Sequence, residues 1–281
     1  MKSTLRYGIC VLVVINGLLF AGITFSGCKK TKTTLDNTRL ATDYITSQLE
    51  VNALVDMMSA VGGIGTDKPN DITFLPTCST VVFDTLKTPK TIRVNFGTSN
   101  CLSGAYDNQY RRGTVIMKWT GRLRDVSNHF QISVLNYSLN NNTYSVGITV
   151  TNLGQGSNAS YSLAYTANDT LTYITDNSQA IATYSMTKQF SGGYYTVSPL
   201  DNEYSLTGTS SGVGSQGIAY TTTIQSPIEV ENTCQYRLLG GNTEVAPNAT
   251  GAFLLDFGSG KCDNTATLNV NGLIKTIEFY L

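Results

Sequence analysis

Side chains suited to acid, base or nucleophilic chemistry are few and scattered in this 281-residue chain. The single histidine, His129, is the one side chain whose unperturbed titration falls near neutrality. Beside Asn128 at the start of a strand-like run, it reads as a turn residue. No Gly-x-Ser-x-Gly elbow raises a serine nucleophile. Glu229 and Glu231 alternate along one run, so on a strand they share a face within the roughly 5 to 9.5 Å that glycoside hydrolysis asks of two carboxyl groups. A pair of solvated neighbours has the same spacing. Gly258-Ser259-Gly260-Lys261 fails as a phosphate loop, because Cys262 stands where Ser or Thr is required. Asp256 and Asp263 flank that turn and offer Ca²⁺ two carboxylates, a thin set against its usual six to eight or so oxygens. This inventory assigns no catalytic residue, no metal and no cofactor.

Charge is more informative by distribution than by sum. Lys and Arg number 19 against 19 Asp and Glu, and only 14% of residues are charged. Such a chain has no global basic excess, which argues against a nucleic-acid partner. From Lys87 to Arg124 there are eight basic residues against the single acid Asp107, whereas residues 125–281 hold four basic and eleven acidic ones. Lys118, Arg122 and Arg124 alternate along one run and are expected to leave the same strand face. Repulsion among them calls for something negative. Asp125, Glu229 and Glu231 supply it in one reading; in the other an anionic glycan, a lipid headgroup or an envelope protein does.

The cysteines bear on architecture. After Cys10 and Cys28 are assigned to the N-terminal segment, Cys78, Cys101, Cys234 and Cys262 remain, an even number in an exported chain. Residues 78–101 read as Cys, strand, Pro-containing turn, strand, then Phe96-Gly97 before the second Cys. Residues 234–262 repeat that plan with Phe257-Gly258. Antiparallel pairing within each copy brings its two cysteines together, so the expected disulfides are Cys78 with Cys101 and Cys234 with Cys262. Metal binding by the four thiols is the rival, and no Cys-x-x-Cys pair supports it.

Positioning elements follow from periodicity. Leu40, Tyr44, Val51, Val55 and Met58 recur at helical spacing, which predicts a helix over 36–62, capped by Asp36 and stopped by Gly62-Gly63. It is expected to pack on the sheet or to space the body from the membrane. Beyond residue 72 the period changes to two. Val115, Met117, Trp119 and Leu123 fall on one face, with Lys118, Thr120, Arg122 and Arg124 on the other. Asn- and Gly-rich turns separate the runs, among them Asn168-Asp169 and Asn271-Gly272, the latter with the composition of a type I′ hairpin. Eleven or twelve short strands over 72–281 predict an all-β domain, a large antiparallel meander forming a sandwich or a strongly curved, partly closed sheet.

The N-terminus resembles a bacterial lipoprotein signal peptide. Lys2 and Arg6 precede an apolar stretch from Ile9 to Ile23, and Phe25-Ser26-Gly27-Cys28 forms the processing site. The resemblance implies removal of 1–27, acylation of Cys28, a linker over 28–35 and a membrane partnership through the lipid. Acyl chains add about 0.8 kcal/mol per buried methylene, which makes release from the bilayer slow. Lys29-Lys30 after the cysteine, in place of Asp, points to the outer membrane and its periplasmic face, with surface display as the alternative.

Together the helix, the two Cys/Phe-Gly/Cys repeats, Arg111-Arg112-Gly113, Val150-Thr151-Asn152 and Cys262-Asp263-Asn264 resemble a group of Bacteroidota lipoproteins. The resemblance implies address and architecture and brings no catalytic residues. Asp84-Thr85-Leu86 and Asp169-Thr170-Leu171 are similar to the O-glycosylation signal of that phylum, which implies Thr85 and Thr170 as sugar acceptors. The resulting expectation is a non-catalytic envelope lipoprotein that binds or scaffolds. An envelope glycan hydrolase is the alternative.

Overall fold

The computed structural model describes residues 37–63, 71–104, 106–156, 160–194, 196, 198–234 and 237–279. The expected signal, linker and Cys28 lie outside them, as does Asp36. One α-helix, α1 (Asn37–Gly62), precedes strands β1 (Thr80–Asp84), β2 (Lys90–Asn95), β3 (Cys101–Leu102), β4 (Tyr110–Trp119), β5 (His129–Leu139), β6 (Asn142–Gln155) and β7 (Tyr161–Thr172). These are followed by β8 (Gln179–Gly192), β9 (Glu203–Val213), β10 (Ala219–Glu231), β11 (Leu238–Pro247), β12 (Phe253–Ser259), β13 (Thr265–Val270) and β14 (Leu273–Glu278). All pair antiparallel in one sheet, each strand beside its neighbour in sequence except that β3 and β2 both pair with β4. β1 and β14 are its edges. The all-β meander with one helix is thus the fold, in its curved-sheet form.

The strands alternate apolar inward and polar outward. Val115, Met117 and Trp119 on β4, Ile148 and Val150 on β6, and Tyr184 and Met186 on β8 are buried. Outward, register lines up hydroxyls across strands: Thr149, Thr166, Ser185, Thr209 and Thr223 form one row from β6 to β10. A lipid-embedded barrel has the reverse alternation, with its apolar band outside. No described helix is long and apolar enough to cross a membrane.

The helix lies inside the curl of the sheet and does not rest on it by one stripe. Nearly every residue from Leu40 to Met58 is buried, including Asp43, Ser47, Gln48, Glu50, Asn52 and Asp56. Contacts reach it from β5 (Tyr137 to Glu50, 2.6 Å) through β11 (Tyr44 to Thr243, 3.4 Å) to β14, where the Lys275 ammonium donates to Thr38 Oγ1 at 2.7 Å. A sheet can touch one helix from so many strands only by wrapping it. Gly63, at φ 62°, ends the helix and donates its N–H to the Ala60 carbonyl.

Both expected disulfides are present. Cys78–Cys101 clasps the β1–β2 hairpin, and Cys234–Cys262 clasps β11–β12. Asn271 (φ 51°) and Gly272 (φ 85°) form the two-residue turn of the last hairpin. Two readings are corrected. Asn168-Asp169 is no turn but the middle of β7, because Asp169 points inward and finds Ser47 of the helix. β4 stops at Trp119, and the chain then turns through Gly121 (φ 70°), so Arg122 and Arg124 leave the strand that carries Lys118.

Candidate functional site

Two places concentrate chemically capable groups, and they differ in access. The first is the interface between helix and sheet. Nη1 of the Arg111 guanidinium donates to Glu50 at 2.8 Å and to the Tyr137 hydroxyl, while Nη2 pairs with Asp107. The Lys188 ammonium pairs with Asp56, whose second oxygen accepts from the Tyr204 hydroxyl at 2.8 Å. Arg111, Glu50, Lys188 and Asp56 expose at most 1% of their side chains. Burial raises the Glu50 carboxyl against the pull of Arg111, and lowers the Lys188 ammonium against the pull of Asp56. It also acts upward on Asp107, but Arg111 and Arg237 outweigh it and leave that carboxyl low.

Tyrosine hydroxyls meet many of the polar groups of the helix. Hydroxyls of Tyr106, Tyr137, Tyr165, Tyr173, Tyr184 and Tyr204 donate to the Ala53 carbonyl, Glu50, Asn52, Asp43, Ser47 and Asp56 in turn, at 2.5 to 2.8 Å. Burial holds the phenols of Tyr137, Tyr165, Tyr184 and Tyr204 well above their ordinary value, so they remain donors. Ser47 passes the chain on to Asp169, whose carboxyl burial pushes up to about 7. Asp169 Oδ1 has no partner among the described residues. Buried and largely paired in this way, the groups can hold the helix and keep its register.

The second place is on the outer face. A hollow of about 700 Å³ opens over β4, β5 and β6, lined by Asn95, Thr98, Arg112, Leu135, Thr143 and Ser145 among others. Two bulges create it. The β4–β5 ladder shifts between Arg112 and Thr114, and the β5–β6 ladder shifts between Ser133 and Tyr137. Gly113 is required there: its φ is +82°, and a Cβ would come within 2.2 Å of the Asn136 carbonyl oxygen. Arg112 is half-buried and donates Nε–H to Ser138 Oγ at 2.9 Å.

Around the hollow the charge pattern is one-sided. β2, β4, β5 and β6 contain no Asp or Glu, while Arg93, Arg112 and Lys118 project from their outer faces. The basic segment of the sequence therefore becomes a patch, but with different members from the expected triplet. Lys118 belongs to it. Arg122 sits in the following loop 4.0 Å from Asp125, both exposed, and Arg124 is exposed in the same loop. Glu229 and Glu231 are not cross-strand neighbours of these cations, because β5 to β9 separate β10 from β4.

The other singled-out residues are dispersed. His129 is exposed at the start of β5 with Nδ1 2.8 Å from Thr151 Oγ1. Glu229 is exposed on β10, its carboxyl raised by partial burial, and Glu231 accepts from the Thr233 hydroxyl. Asp256 and Asp263 do line one hollow of about 240 Å³, but each carboxylate is turned to its own chain, accepting from Gly258 N–H and Thr265 N–H. Among the described residues no three His, Cys, Asp or Glu side chains gather as a metal site. Thr85 lies exposed in the β1–β2 turn beside Leu86, which is 98% exposed; Thr170 is mid-strand on β7 next to buried Asp169.

Sequence reasoning missed Arg93 and Arg112 as partners of Lys118 and missed the inward tyrosines. The first had a readable signal, the absence of any acid from the strand runs within 90–155. The second had only an excess of tyrosine, 16 in the chain. Comparisons with protein-family models, with curated proteins and with solved structures find no match.

Proposed function

We propose that the chain is a non-catalytic binding module of the cell envelope, held at the outer membrane by a lipid on Cys28. The observation that carries this reading is the separation of its charges. The groups with the most perturbed titration are locked between helix and sheet, whereas the accessible cations lie on an open part of the outer face, over β2 and β4 to β6, whose strands contain no acid and which holds a preformed hollow. Catalytic groups need both perturbed environments and access to substrate. Recognition needs a rigid surface with unmatched charge, and a sheet wrapped on its own helix supplies one.

The glycan hydrolase reading gains little from Glu229 and Glu231, which stand on the outer face of β10 and line none of the hollows described above. Full-length protein in detergent micelles decides between the two. The binding reading predicts salt-sensitive retention on isolated envelope material and no turnover across a polysaccharide panel. Turnover abolished by Glu229→Gln or Glu231→Gln would establish the enzyme instead. For the address, a fatty-acid analogue is expected to label wild-type cells but not Cys28→Ser; equal labelling of both would remove the lipid anchor.

A further inference from the structure

We infer that the hollow around Arg112 is a binding site for a carboxylate-bearing sugar, with the Arg112 guanidinium as the group that receives the carboxylate. The inference rests on the binding-module reading and names the ligand class.

Arg112 is presented as a receptor and not as a structural cation. Its Nε–H is committed to Ser138, which fixes the plane of the guanidinium. Its terminal Nη donors engage no described protein group, and no carboxylate of the described residues lines the hollow. A planar fork of two parallel donors matches a carboxylate bidentately, with charge-assisted hydrogen bonds roughly twice as strong as neutral ones. Arg93 stands two residues from Asn95 on the same outer face and Lys118 further along β4, so the potential over the opening is positive.

The remaining lining suits the rest of a sugar. Thr98, Thr143 and Ser145 offer hydroxyls with no side-chain partner among the described residues, and the Leu135 side chain, 56% exposed, offers an apolar ledge to the C–H face of a ring. At about 700 Å³ the hollow falls within the roughly 300 to 1,000 Å³ typical of small-ligand sites. Tyr137 and Tyr144, the aromatics of the lining, are buried inward, so the hollow lacks the stacking platform that single-stranded nucleic acid uses. The recess is also preformed: the bulges and the Gly113–Asn136 contact set it in the backbone, so a ligand meets little ordering penalty.

The test titrates full-length protein in detergent micelles with a hexuronate trisaccharide, a neutral hexose trisaccharide of the same linkage, a hexose phosphate, and vesicles containing anionic lipid. The expected result is binding of the uronate about tenfold or more tighter than the neutral sugar, and a loss of about tenfold or more in Arg112→Gln. Arg112→Lys, which keeps the charge but loses the fork, is expected to fall between. Ser145→Asp places a carboxylate in the hollow at an exposed position and is expected to abolish uronate binding, which guards against misfolding of the arginine variants. Equal affinity for acidic and neutral sugar, no effect of Arg112→Gln and Ser145→Asp, or binding confined to the hexose phosphate or to vesicles would each overturn the inference. If wild type is retained on envelope material yet binds no uronate, only the ligand class is lost. If wild type is retained on nothing, the binding-module reading itself is lost.

Discussion

The inside and the outside of this sheet use charge in opposite ways. Inside, Arg111 and Lys188 meet Glu50, Asp107 and Asp56 with nearly complete burial. Outside, on β2, β4, β5 and β6, Arg93, Arg112 and Lys118 meet no carboxylate among the described residues. Taking two ions out of water is compensated only by close pairing and further hydrogen bonds, so interior charges act as position markers for the helix. Ions left in water need no such compensation. Their excess on one face is available to an outside partner.

Breaking the inner half gives the largest effects. Arg111→Met leaves Glu50 and Asp107 buried beside each other without their cation, and is expected to cost about 3 to 5 kcal/mol in denaturant unfolding. The double variant Glu50→Gln, Arg111→Met is expected to recover part of that loss, since it removes one stranded charge as well. No difference between single and double variants would mean that the pair is not coupled.

Next come the two clasps. Each closes a loop with a sequence separation of 23 or 28 residues, for which the chain-entropy treatment gives about 3.5 kcal/mol. Cys78→Ser with Cys101→Ser is expected to lower stability by about that amount while leaving uronate binding intact, because neither cysteine lines the hollow. Loss of binding at full occupancy of the fold would place the site elsewhere.

Asp169 should give an effect of comparable size, set apart by its pH dependence. Its carboxyl titrates near 7 in the folded chain, against 3.8 for an unperturbed aspartate. The folded state therefore holds a proton that the unfolded state releases, and stability falls as pH rises from about 4 to about 7, then levels. Asp169→Asn keeps an acceptor for Ser47 and removes that slope. At pH 7.5 the variant is expected to be more stable than wild type by about 4 kcal/mol, and near pH 4 to come within about 0.5 kcal/mol of it. Equal stability at both pH values would show that Asp169 is solvated in the native state.

Much of this architecture is legible locally. Period-two alternation, the Cys/Phe-Gly/Cys repeat and Asn271-Gly272 encode strands, clasps and the final hairpin through nearest neighbours in sequence. The position of α1 is encoded otherwise. Its Asp43, Glu50 and Asp56 carry no local sign of burial, and are met inside by Tyr173, Tyr137 and Tyr204 from roughly ninety to one hundred and fifty residues away. Asn168-Asp169 misleads for the same reason, since a turn-forming pair is held in a strand by Ser47. Likewise the hollow depends on two bulges in adjacent ladders, and pairing register is not written in either strand alone.

The smallest stability effects belong to the outer cations. Arg122→Gln and Arg124→Gln, in the loop after β4, are expected to change stability by less than about 0.5 kcal/mol and to leave envelope retention unchanged. A marked loss of retention would move the binding surface from the sheet to that loop.

The most direct test pairs two measurements on one variant, Arg93→Gln with Arg112→Gln and Lys118→Gln, in the full-length protein. The separation of inner and outer charge predicts a thermal midpoint close to that of wild type together with loss of salt-sensitive retention on envelope material. Retention equal to that of wild type, or a midpoint that falls together with retention, would contradict it.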